Sequence, residues 1–232
     1  MKNQDNHLQQ DRKAKETGNV FFIILIALML LLGLSRAVIK DSGGGANIGD
    51  KGQAKVAASQ ILKYARSVEN AIKQLQLVSG CSENEISFEN NEVVGYGNAN
   101  APADESCHIF HPNGGGLMWQ TAPPSATSNT VYSINPRNGV DGIGTSNPDL
   151  IIQLRSVNLA TCNEINNLLG WGSAPLFDSY GFEENGKFYG TYASSNLIKD
   201  DIGNSIEGKS TGCFEGESSS NDYYFYHVLL AR

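Results

Sequence analysis

Hydrophobic and polar positions alternate along this chain in three different ways, and each predicts a different element. Residues 20–34, VFFIILIALMLLLGL, are apolar without interruption, and Ser35 to Ile39 extend the run to twenty. As a helix of about 1.5 Å per residue such a run spans about 30 Å, the thickness of a bilayer's hydrocarbon core, with Arg36 at the interface. The expectation is a transmembrane helix over 19–40. Asp41 to Gly52, DSGGGANIGDKG, then places five glycines in twelve residues. Interior glycines disfavour a helix, so 41–53 is predicted to be a Gly-rich linker. From Ala54 to Ser79 the spacing changes again. Ile61, Ala65, Val68, Ile72 and Leu75 recur at steps of three and four, which puts one apolar stripe on an amphipathic helix stopped by Gly80.

Beyond Gly80, short apolar runs separated by Gly, Asn and Pro predict strands at Glu85 to Phe88, Glu92 to Tyr96, His108 to Phe110, Leu117 to Gln120, Val131 to Ile134, Leu150 to Val157, Lys187 to Tyr192 and Tyr223 to Leu230. Asn135 to Pro148 and Glu215 to Asp222 read as loops. One short helix is predicted from Leu159 to Leu169, with Asn158 as its cap and Gly170 as its stop. The fold class is therefore α+β: an N-terminal transmembrane helix, a spacer, and an amphipathic helix packed on a mostly antiparallel sheet that forms a head over 54–232.

Charge removes one class of function. Residues 41–232 hold 11 Lys or Arg against 21 Asp or Glu, a net charge of −10. Such a body repels phosphate backbones, and no basic stripe interleaved with aromatics is evident, so no nucleic acid is expected as a partner. Cysteine adds a compartment. Cys81, Cys107, Cys162 and Cys213 are an even set, all after the apolar run, with no CxxC and no zinc-finger spacing. Two disulfides in an oxidising compartment follow. Of the three possible connectivities, near-neighbour pairing of Cys81 with Cys107 and Cys162 with Cys213 suits sequential substructures.

The order at the N-terminus is eighteen mostly polar residues, Gly18, then the unbroken apolar run, GNVFFIILIALMLLLGLSRAV. In this the chain resembles type IV pilin-like proteins, including the pseudopilins of type II secretion. The resemblance implies a leader peptide over 1–18, cut by a prepilin peptidase after Gly18 to leave Asn19 as the first mature residue. It implies a pilin-like structural subunit, held single-pass in the inner membrane with its head in the periplasm until it packs with other pilin-like subunits into a pilus or pseudopilus, or onto a cell-surface filament. The chain departs from the family at Asn19, where Phe or Met is usual, and at Ile23, where a glutamate is usual; tip subunits of the family lack that glutamate. The second reading is an adhesin or binding module that is tethered to the membrane and never assembles.

No enzyme is read from the residues: HExxH is absent, and no cysteine is left over to react. Gly203 to Ser210 fits the phosphate-loop pattern GxxxxGK[ST], yet it neither follows a strand-like run nor opens a helix, so no nucleotide is expected. His108 and His111 form an HxxH near Asp104 and Glu105. No cofactor is assigned, although Asp200, Asp201, Asn204 and Glu207 could offer oxygens to calcium, as acidic loops of some pseudopilins do. Trp119, Trp171 and the run Tyr223 to Tyr226 are candidates for a glycan-stacking face, against which alternate aromatics on a terminal strand fill a core.

Overall fold

Ile61, Ala65, Val68, Ile72 and Leu75 are all buried in one core; the first four share a face of helix α1, Gly45–Gln74, and Leu75 follows directly after it. In the computed structural model, which describes residues 23–29, 45–179, 181–193, 196–203, 205–216 and 221–232, this helix passes through the segment predicted to be a linker. A Cβ at Gly49 or Gly52 would meet no atom of the other described residues within 4 Å, so no close approach requires these glycines and they cost α1 only their own flexibility. Packing of the stripe that follows supplies what propensity lacks. The helix widens into a π-type turn, Leu75–Ser79, and ends at Gly80, whose φ of 71° places it in the left-handed region while its N–H donates to the Leu75 carbonyl. Residues 41–44 lie outside the described residues.

The chain divides into two units, residues 1–49 and 50–232. In the first, residues 23–29 are helical with exposed side chains. The remainder of the predicted 19–40 span lies outside the described residues. Among the described residues no helix is long and apolar enough to cross a membrane, and this overturns the single-pass inner-membrane placement expected from the sequence.

The second unit carries a six-stranded sheet made of β1 (Ser133–Val140), β2 (Asp149–Val157), β3 (Leu176–Asp178), β4 (Asn196–Ile198), β5 (Thr211–Gly216) and β6 (Tyr223–Leu230), with helix α2 (Leu159–Leu169) after β2. Its spatial order is β3-β5-β6-β2-β1-β4. The inner pairs are antiparallel, but β1 with β4 and β3 with β5 are parallel, so the predicted mostly antiparallel sheet is corrected to a mixed one. The two edges also meet. Just past β3 and β4 the Ser179 N–H donates to the Lys199 carbonyl at 2.8 Å, and the Lys199 N–H donates to Asp178 Oδ1 at 3.0 Å. The sheet thereby curls into a nearly closed barrel, which leaves little edge exposed for pairing with other chains.

Both faces of this sheet are buried, in two separate cores. Leu150, Ile152, Leu154, Phe225 and Leu229 face the core that α1 covers. Ile151, Phe214, Tyr224, Tyr226 and Val228 face a smaller core inside the curl, closed by Ile198 and Ile206. The period-2 alternation of a strand therefore serves both sides here. Two disulfides hold the unit, Cys81–Cys107 beneath the long loops and Cys162–Cys213 between α2 and β5.

Candidate functional site

The segment from Asp104 to Trp119 forms no strand; it closes into a loop held by its own backbone. The His108 N–H donates to the Glu105 carbonyl, the Gly115 N–H to the His108 carbonyl, and the Gly114 and Gly116 N–H groups to the His111 carbonyl. A side chain at Gly114 would put its Cβ 2.2 Å from the His108 carbonyl oxygen, so the glycine is required by close approach. The Cys81–Cys107 disulfide anchors this loop, and Ser87 bridges to His108.

The loop forms one wall of a groove of about 460 Å³ whose lining includes Glu89, Glu92, Glu105, His108, His111 and Trp119, with no Lys or Arg. His111 and Glu105 pair at 3.0 Å between Nε2 and Oε2, and His111 Nδ1 accepts the Asn113 N–H at 3.3 Å. The HxxH pair thus shares one groove because its backbone turns instead of extending. Trp119 packs edge-on against Phe110, with centroids 5.2 Å apart, and leans on Tyr96. Its indole Nε1 is buried and has no hydrogen-bond partner among the described residues. An acidic groove with an aromatic wall suits a cationic or hydrogen-bonding partner.

A second constellation carries no signal in the linear sequence. His227 on β6 is almost fully enclosed, with Thr211 Oγ1 of β5 at 2.6 Å from Nδ1 and Glu69 Oε2 of α1 at 2.9 Å from Nε2. An ionised carboxylate only accepts, so Nε2 carries the proton and Nδ1 accepts the Thr211 hydroxyl. Burial lowers the His227 pKa, outweighing the attraction of Glu69, and the neighbouring Arg66 and Lys73 act in the same direction as burial. Glu69 is itself pushed up by burial but brought down further by Lys73 and His227. Hydroxyl, imidazole and carboxylate stand in line as in a nucleophilic relay, but Thr211 sits in a paired strand and is buried. The chain of bonds ties α1 to the sheet.

The acidic loop is spent internally. Asp200 Oδ1 accepts from the N–H groups of Ile202 and Gly203, and Oδ2 from that of Ser205. Burial raises its pKa, but these donors outweigh it and hold the group at about 2. Asp201 pairs with Lys199 at 2.5 Å, Glu207 is exposed, and Asn204 lies outside the described residues. Among the described residues no group of three or more His, Cys, Asp or Glu is placed to hold a metal ion. The phosphate-loop pattern has a similar fate: the Gly203 and Ser205 amides face Asp200, the Gly208 N–H donates to the Asp141 carbonyl, and Lys209 lies 5.1 Å from the Trp171 ring centroid. Gly18 and Asn19 lie outside the described residues.

No shared aromatic face forms. Trp119 lines the groove, Trp171 donates its indole N–H to the Thr211 carbonyl, and Tyr223 to Tyr226 are buried along β6. In comparisons with known proteins, the chain matches no protein-family model, no curated protein and no solved structure.

Proposed function

We propose that this chain is a pilin-like structural subunit that packs with further copies into a filament of the type IV pilus or type II secretion kind. The observation that carries the reading is the helix over 23–29, where Ile23, Ile24, Leu25, Ile26, Leu28 and Met29 are each between 44% and 65% exposed. Seven consecutive helical residues cover nearly two turns, so apolar surface faces outward on every side. Surface of that kind demands a cover, and helices of neighbouring copies supply one that buries all sides at once. The head agrees with service outside a reducing compartment: all four cysteines are paired and none is free. Cleavage after Gly18, leaving Asn19 as the first residue, belongs to the same reading, and N-terminal sequencing of the protein from producing cells tests it.

The packing itself is tested by replacing Ile24 with a photo-crosslinking amino acid in the full chain. Illumination of producing cells is expected to yield a ladder of covalent multimers of this chain. Crosslinks to lipid alone, or none, contradict the proposal.

A further inference from the structure

We propose that the solvent face of α1 is a basic ridge that docks into the acidic groove of a second copy, so that heads associate in a head-to-tail series. The inference rests on the filament reading above and names the contact between heads. Of the 11 Lys and Arg after residue 40, five stand on α1: Lys51, Lys55, Lys63, Arg66 and Lys73. At about 100° per residue they fall within about 120° of arc, on the side opposite the buried stripe. All are exposed. Lys73 pairs with Glu69, whereas Lys51, Lys55, Lys63 and Arg66 have no carboxylate within 4 Å among the described residues. Lys63 lines two grooves, of about 400 and 440 Å³.

The complement lies elsewhere on the same molecule. The groove beside the 104–119 loop holds Glu89, Glu92 and Glu105, the last paired with His111, and no Lys or Arg. Glu89 and Glu92 are exposed and make no ion pair of their own among the described residues. Basic and acidic surfaces are different patches of one chain, so a ridge seated in the groove of the next copy leaves one ridge and one groove free, a heterologous contact that propagates wherever its rotation does not close a ring. The occupant is a second copy because every copy carries, in the groove's exposed carboxylates, the charge complement of the ridge; the net charge of −10 on each body opposes approach, so the contact rests on this local pairing. Exposed ion pairs contribute little singly and are screened by salt, so the contact depends on several acting together.

Sedimentation velocity of the full chain tests this at about 50 mM and about 500 mM salt, where the Debye length falls from roughly 14 to roughly 4 Å. The parent is expected to self-associate, more strongly at low salt. Lys63→Glu with Arg66→Glu, or Glu89→Lys with Glu92→Lys, is expected to weaken low-salt association by about tenfold or more. Mixing the two double variants is expected to restore it, since each then offers the other's complement; all four positions are exposed, and a melting curve verifies folding. Association that neither double variant alters overturns the ridge-in-groove contact while leaving the filament reading intact. A parent that stays monomeric under all conditions overturns both.

Discussion

Asp200 and His227 show how single titratable groups hold this molecule. Asp200 is buried, and its carboxylate collects three backbone N–H groups that would otherwise have no partner in the turn. Asp200→Ala strands those donors and is expected to cost about 1–3 kcal/mol, read from chemical denaturation at neutral pH. His227 has the opposite charge type but the same pH sense. Its folded pKa lies below the ordinary value of 6.5, so below that pH the unfolded chain takes up a proton that the folded one resists. Its contribution is full above 6.5 and is lost as pH falls through the folded pKa. Glu69, also depressed, adds a loss of the same sign that begins lower, below 4.5. Between pH 7 and 5 the melting temperature is therefore expected to fall, and His227→Gln is expected to flatten that slope; an unchanged slope removes His227 from the account.

Among the elements, α2 shows what local pattern can disclose. Asn158 accepts the Thr161 N–H at its start and Gly170 adopts φ 81° at its end, and both residues advertise those roles in the sequence. The false strands are equally instructive. Ile86, Phe88, Tyr96, Ile109 and Phe188 are fully buried, so alternation correctly marked residues that face the core, yet only an isolated bridge from Ser87 to His108 forms there. Burial without a ladder produces the same pattern. Conversely β5 is missing from the predicted strands, because Gly212 and Gly216 leave it no apolar run. In the fold a Cβ on Gly212 would come within 2.8 Å of Leu176 and 3.1 Å of Tyr226, so the glycine admits close packing of β3 onto the sheet. β1 hides behind Pro136, which a register shift between Asn135 and Asn138 absorbs. The Cys162–Cys213 bridge joins α2 to β5 across 51 residues. Cys162→Ser with Cys213→Ser is expected to remove about 4 kcal/mol of stability by the chain-entropy account, measured as a shift in denaturant midpoint.

For the whole molecule, the sheet's mixed order and its curl depend on contacts between residues far apart, such as Ser179 with Lys199 and β1 with β4, which no local window contains. The candidate groove was partly legible, because His108, His111 and Glu105 are close in sequence. The relay was not, because Glu69 and His227 are separated by 158 residues. The outward apolar helix and the paired cysteines join in a single account of a subunit in which two units serve different contacts, the one with the helix over 23–29 and the charged one that follows it in the chain. Immunogold electron microscopy of cells producing the full chain, with antibody to the head, tests that account most directly. The account predicts label on fibres, along their length or at their tips, and label confined to dispersed protein with no fibres contradicts it.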